Sequence, residues 1–134
     1  MSTSMRLPGI IISATAEATI ADGVVCIVGT ADYSAAVCGT DPVAGILGIA
    51  KVDGAGSVAS GSVVDIVTSG IYPGVAMASI TQGQTVTVGD ASGGLKPAAP
   101  GAGANAMIVG VALEDASSGE RVAVNINVSI MQGA

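Results

Sequence analysis

Two stretches of this chain alternate too regularly to be anything but strands. From Ile12, the residues Ile12, Ala14, Ala16, Ala18 and Ile20 are apolar, and Ser13, Thr15, Glu17 and Thr19 lie between them. Near the other end, Val122, Val124, Ile126, Val128 and Ile130 alternate with Ala123, Asn125, Asn127 and Ser129. A period of two places each apolar set on one face of an extended segment, whereas a helix would scatter it around the axis. The composition points the same way. There are 18 Val and 13 Ile against 4 Leu, and β-branched side chains suit a pleated surface but lose rotamer freedom in a helix. The expected class is all-β.

The rest of the chain fits that frame. Asp22-Gly23 predicts a turn, Val24–Val28 a strand apolar on both faces, and Gly29–Ser34 a second turn. Ile46–Val52 reads as a strand with Gly48 inside it, followed by a strand across Val58–Thr68 and a short one holding Val86 and Val88. Ile71-Tyr-Pro-Gly74 is a turn signal, and a short helix around Val75–Ile80 is the one alternative to sheet. The Gly-, Pro- and Ala-rich segment Ser92–Ala106 reads as an exposed loop.

The chain also repeats itself. Ile46-Leu-Gly48-Ile-Ala50 returns 62 residues later as Ile108-Val-Gly110-Val-Ala112, each followed by an acid, Asp53 or Asp115, and a small-residue loop. Gly23–Gly29 is echoed by Gly83–Gly89, in the same order. The expectation is a compact β-barrel or sandwich built from two similar halves, about 20–71 and 80–130. Residues 1–13 form an N-terminal arm, polar over its first eight residues, and 14–134 form a single β domain. A glycine inside a strand marks a bulge, a bend or a close backbone approach, so Gly48 and Gly110 predict two bent sheets.

Charge and missing residue types exclude several functions. With no His, neither Ser-His-Asp nor Cys-His catalysis nor a His-metal site is available. Two Tyr and no Phe or Trp leave no platform for stacking bases. Net charge is −6, and the four cations, Arg6, Lys51, Lys96 and Arg121, are scattered, so no nucleic-acid partner is expected. No apolar run approaches the roughly 18–20 residues of a membrane span. Ala14-Thr15-Ala16 imitates a signal-peptidase site, but the apolar stretch before it is short and broken by Pro8 and Gly9. Yet 50% of the residues are apolar and only 10% charged, little charge for a free monomer, so part of the surface is expected to be covered in an assembly.

Candidate chemistry is sparse. Asp53 and Asp115 hold equivalent places, but aspartate after a strand is first of all a turn former. Gly89–Lys96 imitates a phosphate loop, but Leu95 interrupts the required Gly-Lys and Pro97 follows, so it reads as a tight turn. Cys26 and Cys38 lie among small apolar residues and read as buried thiols, with a disulfide as the alternative. No catalytic, cofactor-binding or metal-binding residue is assigned. Arg6, Leu7, Pro8, Tyr33 and Tyr72 are the candidate contacts to a partner, the tyrosines serving either as interface anchors or as caps on a small core.

Taken in order, Leu47–Ala50, Gly61–Val67 with Thr68-Ser69-Gly70-Ile71, Gln82–Val86, Gly89–Leu95, Ile108–Ala112 and Gly119-Glu120-Arg121-Val122 resemble the small capsid cement, or head decoration, proteins of tailed bacteriophages. The resemblance spans roughly residues 14–130. It departs at Thr87, where an aromatic is common, and in the long Ala/Pro/Gly loop at 97–104. It implies a compact β-fold on the outer surface of the virion head, made in the host cytoplasm, commonly trimeric and without enzymatic activity. Its partners would be the major capsid protein and further copies of itself. The competing expectations are a tail-fibre or cell-surface β interaction module and a carboxylate-dependent hydrolase.

Overall fold

The computed structural model describes residues 6–40, 42 and 45–133. Thirteen strands follow in chain order: β1 (Leu7–Pro8), β2 (Ile11–Ala16), β3 (Ile20–Ala21), β4 (Val25–Val28), β5 (Ser34–Val37), β6 (Ile46–Lys51), β7 (Ser57–Val58), β8 (Val63–Val67), β9 (Gly70–Val75), β10 (Thr85–Val88), β11 (Leu95–Pro97), β12 (Asn105–Ala112) and β13 (Arg121–Gln132). A single 3-10 turn, Asp53–Ala55, is the one helical piece among the described residues. The expected all-β class holds. The short helix considered at Val75–Ile80 does not form: Ala76 bridges to Leu95 and Ile80 to Ala116.

Strands from residues 11–67 close into a five-stranded barrel in the order β2-β5-β4-β6-β8, with β2 and β5 parallel. Strands from residues 70–132, with β1, form a six-stranded sheet in the order β1-β9-β13-β12-β10-β11. So few strands enclose a narrow lumen, and the sequence supplies side chains to match: Ala14, Ala16, Cys26, Ala35 and Ala50, with Ile20, Val64 and Ile66 filling the rest. The larger core lies between barrel and sheet. Val25, Ile46, Ile49 and Val67 from the barrel pack there on Tyr72, Leu95, Val122, Val124 and Ile126 from the sheet side. This explains the strands that are apolar on both faces. Val25 and Cys26, Ile49 and Ala50, and Val67 and Ile66 divide between the two cores, one residue of each pair in each.

Gly48 and Gly110 each sit beside a register shift, Gly48 against β4 and Gly110 against β13. Register shifts between Cys26 and Ile27 opposite Gly48, and between Ile108 and Gly110. A Cβ at Gly48 would collide with the Val67 carbonyl, and one at Gly110 with the Asn125 carbonyl. Both glycines therefore serve a bulge and a close backbone approach.

Four local expectations need correcting. The strand expected across Val58–Thr68 divides into β7, which pairs with β3, and β8, which belongs to the barrel, across a turn at 59–62. The alternation from Ile12 to Ile20 is not one strand: β2 ends at Ala16, Ala18 is exposed, and Ile20 reaches the barrel core from β3. The break lies at Glu17, whose carboxylate is held by the Thr30–Ser34 loop. Ile71–Gly74 is a strand segment and not a turn. Its proline is tolerated because β1 pairs with β9 only at Gly70 and Ile71, leaving Pro73 on an open edge. Within Ser92–Ala106, β11 pairs with β10 and Leu95 is fully buried, so only part of that stretch is loop. Of the expected arm, residues 1–5 lie outside the described residues, Leu7–Pro8 pairs with β9, and Ile11–Ser13 belong to β2.

Candidate interaction surface

The most strongly held surface feature is the loop between β4 and β5. The Glu17 carboxylate accepts hydrogen bonds from the Thr30 and Ala31 backbone N–H groups, at 2.8 and 2.9 Å, and from the Thr30 and Ser34 hydroxyls, at 2.9 and 2.8 Å. These donors, led by the Thr30 amide, hold its pKa down at about 2. Gly29 leaves room for the carboxylate, since a Cβ there would meet it. The loop displays Tyr33, which is 91% exposed and the only non-glycine among the described residues with a positive φ, +56°. The Tyr33 carbonyl accepts from the Thr15 N–H at 2.9 Å, fixing the loop to the end of β2.

A second feature surrounds the start of β9. Pro8, Gly70 and Ile126 lie in one row across β1, β9 and β13. β1 and β13 both run antiparallel to β9, so Ile10 and Ile130 lie beyond that row at the same end. Ile10 (62%) and Ile130 (66%) stand exposed, as do Ile11 and Ile12, while Leu7 (67%) is exposed on the other side of the row, level with Ile71 and Asn125. Asn127–Gln132 pairs with β12 on one side, while β9 covers β13 only from Arg121 to Ile126. The strand segment Asn127–Gln132 carries no charge or proline, the devices that usually protect an edge.

A third feature is buried at the seam. Asp22 Oδ1 accepts from the Val52 N–H (2.9 Å) and the Tyr72 hydroxyl (2.7 Å), and Oδ2 accepts from Arg121 Nη2 (3.0 Å). Nη2 of Arg121 also donates to the Pro73 carbonyl at 2.8 Å. Burial works to raise the Asp22 pKa, but the Val52, Tyr72 and Arg121 hydrogen bonds outweigh it and the net shift is downward. Burial and the Asp22 charge push Tyr72 up to about 12. One carboxylate thus joins the β3–β4 turn of the barrel to β9 and β13 of the sheet. Asp22-Gly23 read as a turn signal, and it is one, with Gly23 at φ +86°. Its second role as a buried anchor left no mark in the local sequence.

The candidate contact residues therefore fall in different places. Leu7 and Pro8 are exposed on β1, and the Arg6 guanidinium lies 5.4 Å over the Tyr72 ring. Tyr72 itself is 2% exposed and caps the core, while Tyr33 stands in solvent. Asp53 pairs with Lys51 at 2.9 Å, and Asp115 accepts from the Gln82 N–H at 2.8 Å, so the two acids of the repeat hold different local structures. Cys26 and Cys38 are free buried thiols, raised by burial to about 12 and about 11. Thr87 is buried, and its hydroxyl donates to the Met107 carbonyl at 2.6 Å. A concavity of about 450 Å³ is lined by Val24, Val75–Met77 and Gly94, together with Asp22 and Asp90. Among the described residues no cluster of three or more Cys, Asp or Glu is placed to hold a metal ion, and no helix is long and apolar enough to cross a membrane.

A small five-stranded β-barrel joined to a six-stranded sheet, with Asp22 anchoring the seam, defines an all-β module. The phage cement protein family matches residues 7–128, and the chain belongs to that family. Among solved structures it is similar to the head fibre gp8.5 N base of bacteriophage phi29, with a TM-score of 0.62 and 18% identity over 88% of this chain and 93% of that one. That likeness establishes a shared fold. No curated protein sequence matches the chain.

Proposed function

We propose that this phage virion structural protein binds the outer surface of an expanded head and bridges neighbouring major capsid subunits, acting as a homotrimer and catalysing no reaction. Membership of the cement protein family carries this reading. The consecutive exposed aliphatics Ile10, Ile11 and Ile12, with Leu7 exposed nearby in the chain, support it, since such residues on a lightly charged chain call for a partner. Binding across two subunits stabilises the expanded lattice by mass action, because a ligand specific to one state adds RT ln(1 + [L]/Kd) to it. The arm at 1–13 supplies part of this contact, with Arg6, Leu7 and Pro8 at its described end.

The test is co-sedimentation of purified protein with expanded and unexpanded heads, followed by thermal or pressure challenge of the decorated particles. Saturable binding to expanded heads, with a raised disruption temperature, is the expected result. A protein that ignores expanded heads refutes the reading. Deleting residues 2–8 is expected to reduce occupancy, and unchanged occupancy removes the arm from the contact.

A further inference from the structure

The chain contains the dipeptide Asp-Gly twice, at Asp22-Gly23 and Asp53-Gly54, and Asn-Gly nowhere. Asp-Gly carries a latent reaction. The glycine nitrogen attacks the aspartate Cγ, the amide proton and the carboxyl hydroxyl leave as water, and a succinimide ring closes. Water then reopens the ring. Cleavage of the bond between Cγ and nitrogen returns aspartate. Cleavage of the bond between the main-chain carbonyl carbon and nitrogen leaves isoaspartate, whose main chain runs through Cγ. Water is the only other reactant. Glycine is the permissive follower, because no Cβ hinders the approach. The fold decides whether the reaction runs: the carboxyl must be free to swing onto the next nitrogen, and that nitrogen must be open.

At Asp22-Gly23 both groups are held. The Asp22 side chain is 4% exposed, its Oδ1 accepts from Val52 and Tyr72, and its Oδ2 accepts from Arg121. The Gly23 N–H donates to the Ala50 carbonyl at 2.9 Å, and the Arg121 guanidinium fills the space beside Gly23. At Asp53-Gly54 neither group is held. The Asp53 side chain is 91% exposed. Its one partner among the described residues is Lys51 Nζ at 2.9 Å, a surface pair that water opens easily. Gly54 is the second residue of the 3-10 turn Asp53–Ala55, so its N–H comes too early for a bond within the turn. No hydrogen bond joins it to another described segment. A Cβ at Gly54 would meet no atom within 4 Å, so the space beside its backbone is empty.

We propose that Asp53-Gly54 is a site of spontaneous succinimide and isoaspartate formation in the folded protein, and that the fold shields Asp22-Gly23 from the same reaction. Isoaspartate at position 53 adds one carbon to the main chain and moves the carboxylate away from its place beside Lys51. The added carbon enters the connection between β6 and β7. That connection holds Asp22 from both sides: the Val52 N–H donates to Asp22 Oδ1, and the Gly56 carbonyl accepts from the Asp22 N–H at 3.1 Å. Modification at the open dipeptide therefore loosens the anchor formed by the closed one.

The test incubates the folded full chain in warm buffer for weeks and maps it by liquid chromatography and mass spectrometry. Trypsin cuts after Lys51, between the two dipeptides, and leaves Lys96-Pro97 intact, so residues 7–51 and 52–121 report on them separately. The expected product is a new peak of unchanged mass from 52–121, accompanied by a succinimide form lighter by one water. Fragmentation should place the isomer at residue 53, and an isoaspartyl methyltransferase should methylate it. Its yield should exceed that at Asp22 at least about tenfold, since a site held shut reacts only through rare local opening. In denaturant the two dipeptides should react at similar rates. Asp53→Glu keeps the charge beside Lys51 but would need a larger ring, so it should stay unmodified and keep its denaturation midpoint through the same incubation, while the wild-type midpoint falls. Equal yields at both dipeptides in the folded protein, or none at Asp53 under conditions where the unfolded chain forms it, would overturn the inference. A protein that carries the isomer and keeps its original midpoint overturns the link to the seam. No head enters the experiment, so the inference stands or falls independently of the capsid reading.

Discussion

Replacing Asp22 with alanine removes the acceptor that joins barrel to sheet, and the structure sets the size of the effect. Two donors lose their partner, the half-buried Val52 N–H and the buried Tyr72 hydroxyl. Each orphaned donor costs about 1–3 kcal/mol. The Arg121 side chain is about a third exposed and keeps the Pro73 carbonyl, so water screens much of its loss and its share is held to under about 1 kcal/mol. The sum is about 2–7 kcal/mol, a large part of the 5–15 kcal/mol typical of a domain. For a chain of this length that corresponds to a fall of roughly 6–30 °C in Tm. Asp22→Asn keeps an oxygen for Val52 and Tyr72 and loses the charge facing Arg121, so it should cost about 1–2 kcal/mol.

Urea unfolding followed by circular dichroism measures both, with Tyr72→Phe completing a double-mutant cycle whose coupling should be about 1 kcal/mol. The pH dependence provides a separate check. The folded Asp22 pKa lies below its ordinary value of 3.8, so its contribution is complete above that value and is lost as pH falls through the folded pKa. Wild type should therefore lose stability in that acid window more steeply than Asp22→Asn. An Asp22→Ala protein within 1 kcal/mol of wild type, or one with an unchanged acid slope, would show that the seam is held by apolar packing alone.

Further outcomes follow from other sites. Gly48→Ala and Gly110→Ala drive a Cβ into a backbone carbonyl and should each destabilise by several kcal/mol in denaturant melts; a change under about 1 kcal/mol at both would mean the strands separate freely. The Glu17 carboxyl, followed by NMR, should titrate near pH 2 and not near 4.5; the loop order it provides is then intact above the higher value and lost as pH falls through the lower. Glu17→Gln should speed amide exchange at Thr30 and Ala31, and equal protection in the two proteins would count against the anchoring role. Cys26 and Cys38 should resist thiol reagents in the folded protein and react at once in denaturant; rapid labelling of native protein would contradict their burial.

Much of this fold was legible because period two survives wherever one strand face is buried and the other wet. β13 shows it along most of its length, and its expected span matches the observed strand closely. The β4 strand was legible for the opposite reason: two cores meet there, and no polar position remains. The failures share a cause. The strand predicted across Ile12–Ile20 has an unbroken pattern, but a carboxylate captured from outside ends it at Glu17, and local periodicity carries no record of a partner thirteen residues away. Ile71–Gly74 holds strong turn residues, and tertiary pairing with β13 overrode them. At the surface, Tyr33 and Tyr72 were indistinguishable in sequence, since both follow apolar segments. Only the fold separates a tyrosine that closes a core from one that stands in solvent.

The scarcity of large and reactive side chains then has a geometric cause. A five-stranded barrel admits little more than alanine and cysteine on much of its inner face, and filling it with leucine or phenylalanine would force the strands apart. The barrel must therefore gain its stability from its outer face, and it does so by packing Val25, Ile49 and Val67 against the sheet. With so small an interior core, neither half has a full core of its own, so the seam with its Asp22 anchor decides whether the molecule is one rigid body. Rigidity is what the proposed bridging of capsid subunits needs: strain applied to one bound subunit would reach the next only if barrel and sheet do not hinge between them. Weakening Asp22 should thus reduce the protection given to decorated heads even in a variant that still binds them, and a head equally protected by such a variant would place both capsid contacts on one half of the molecule.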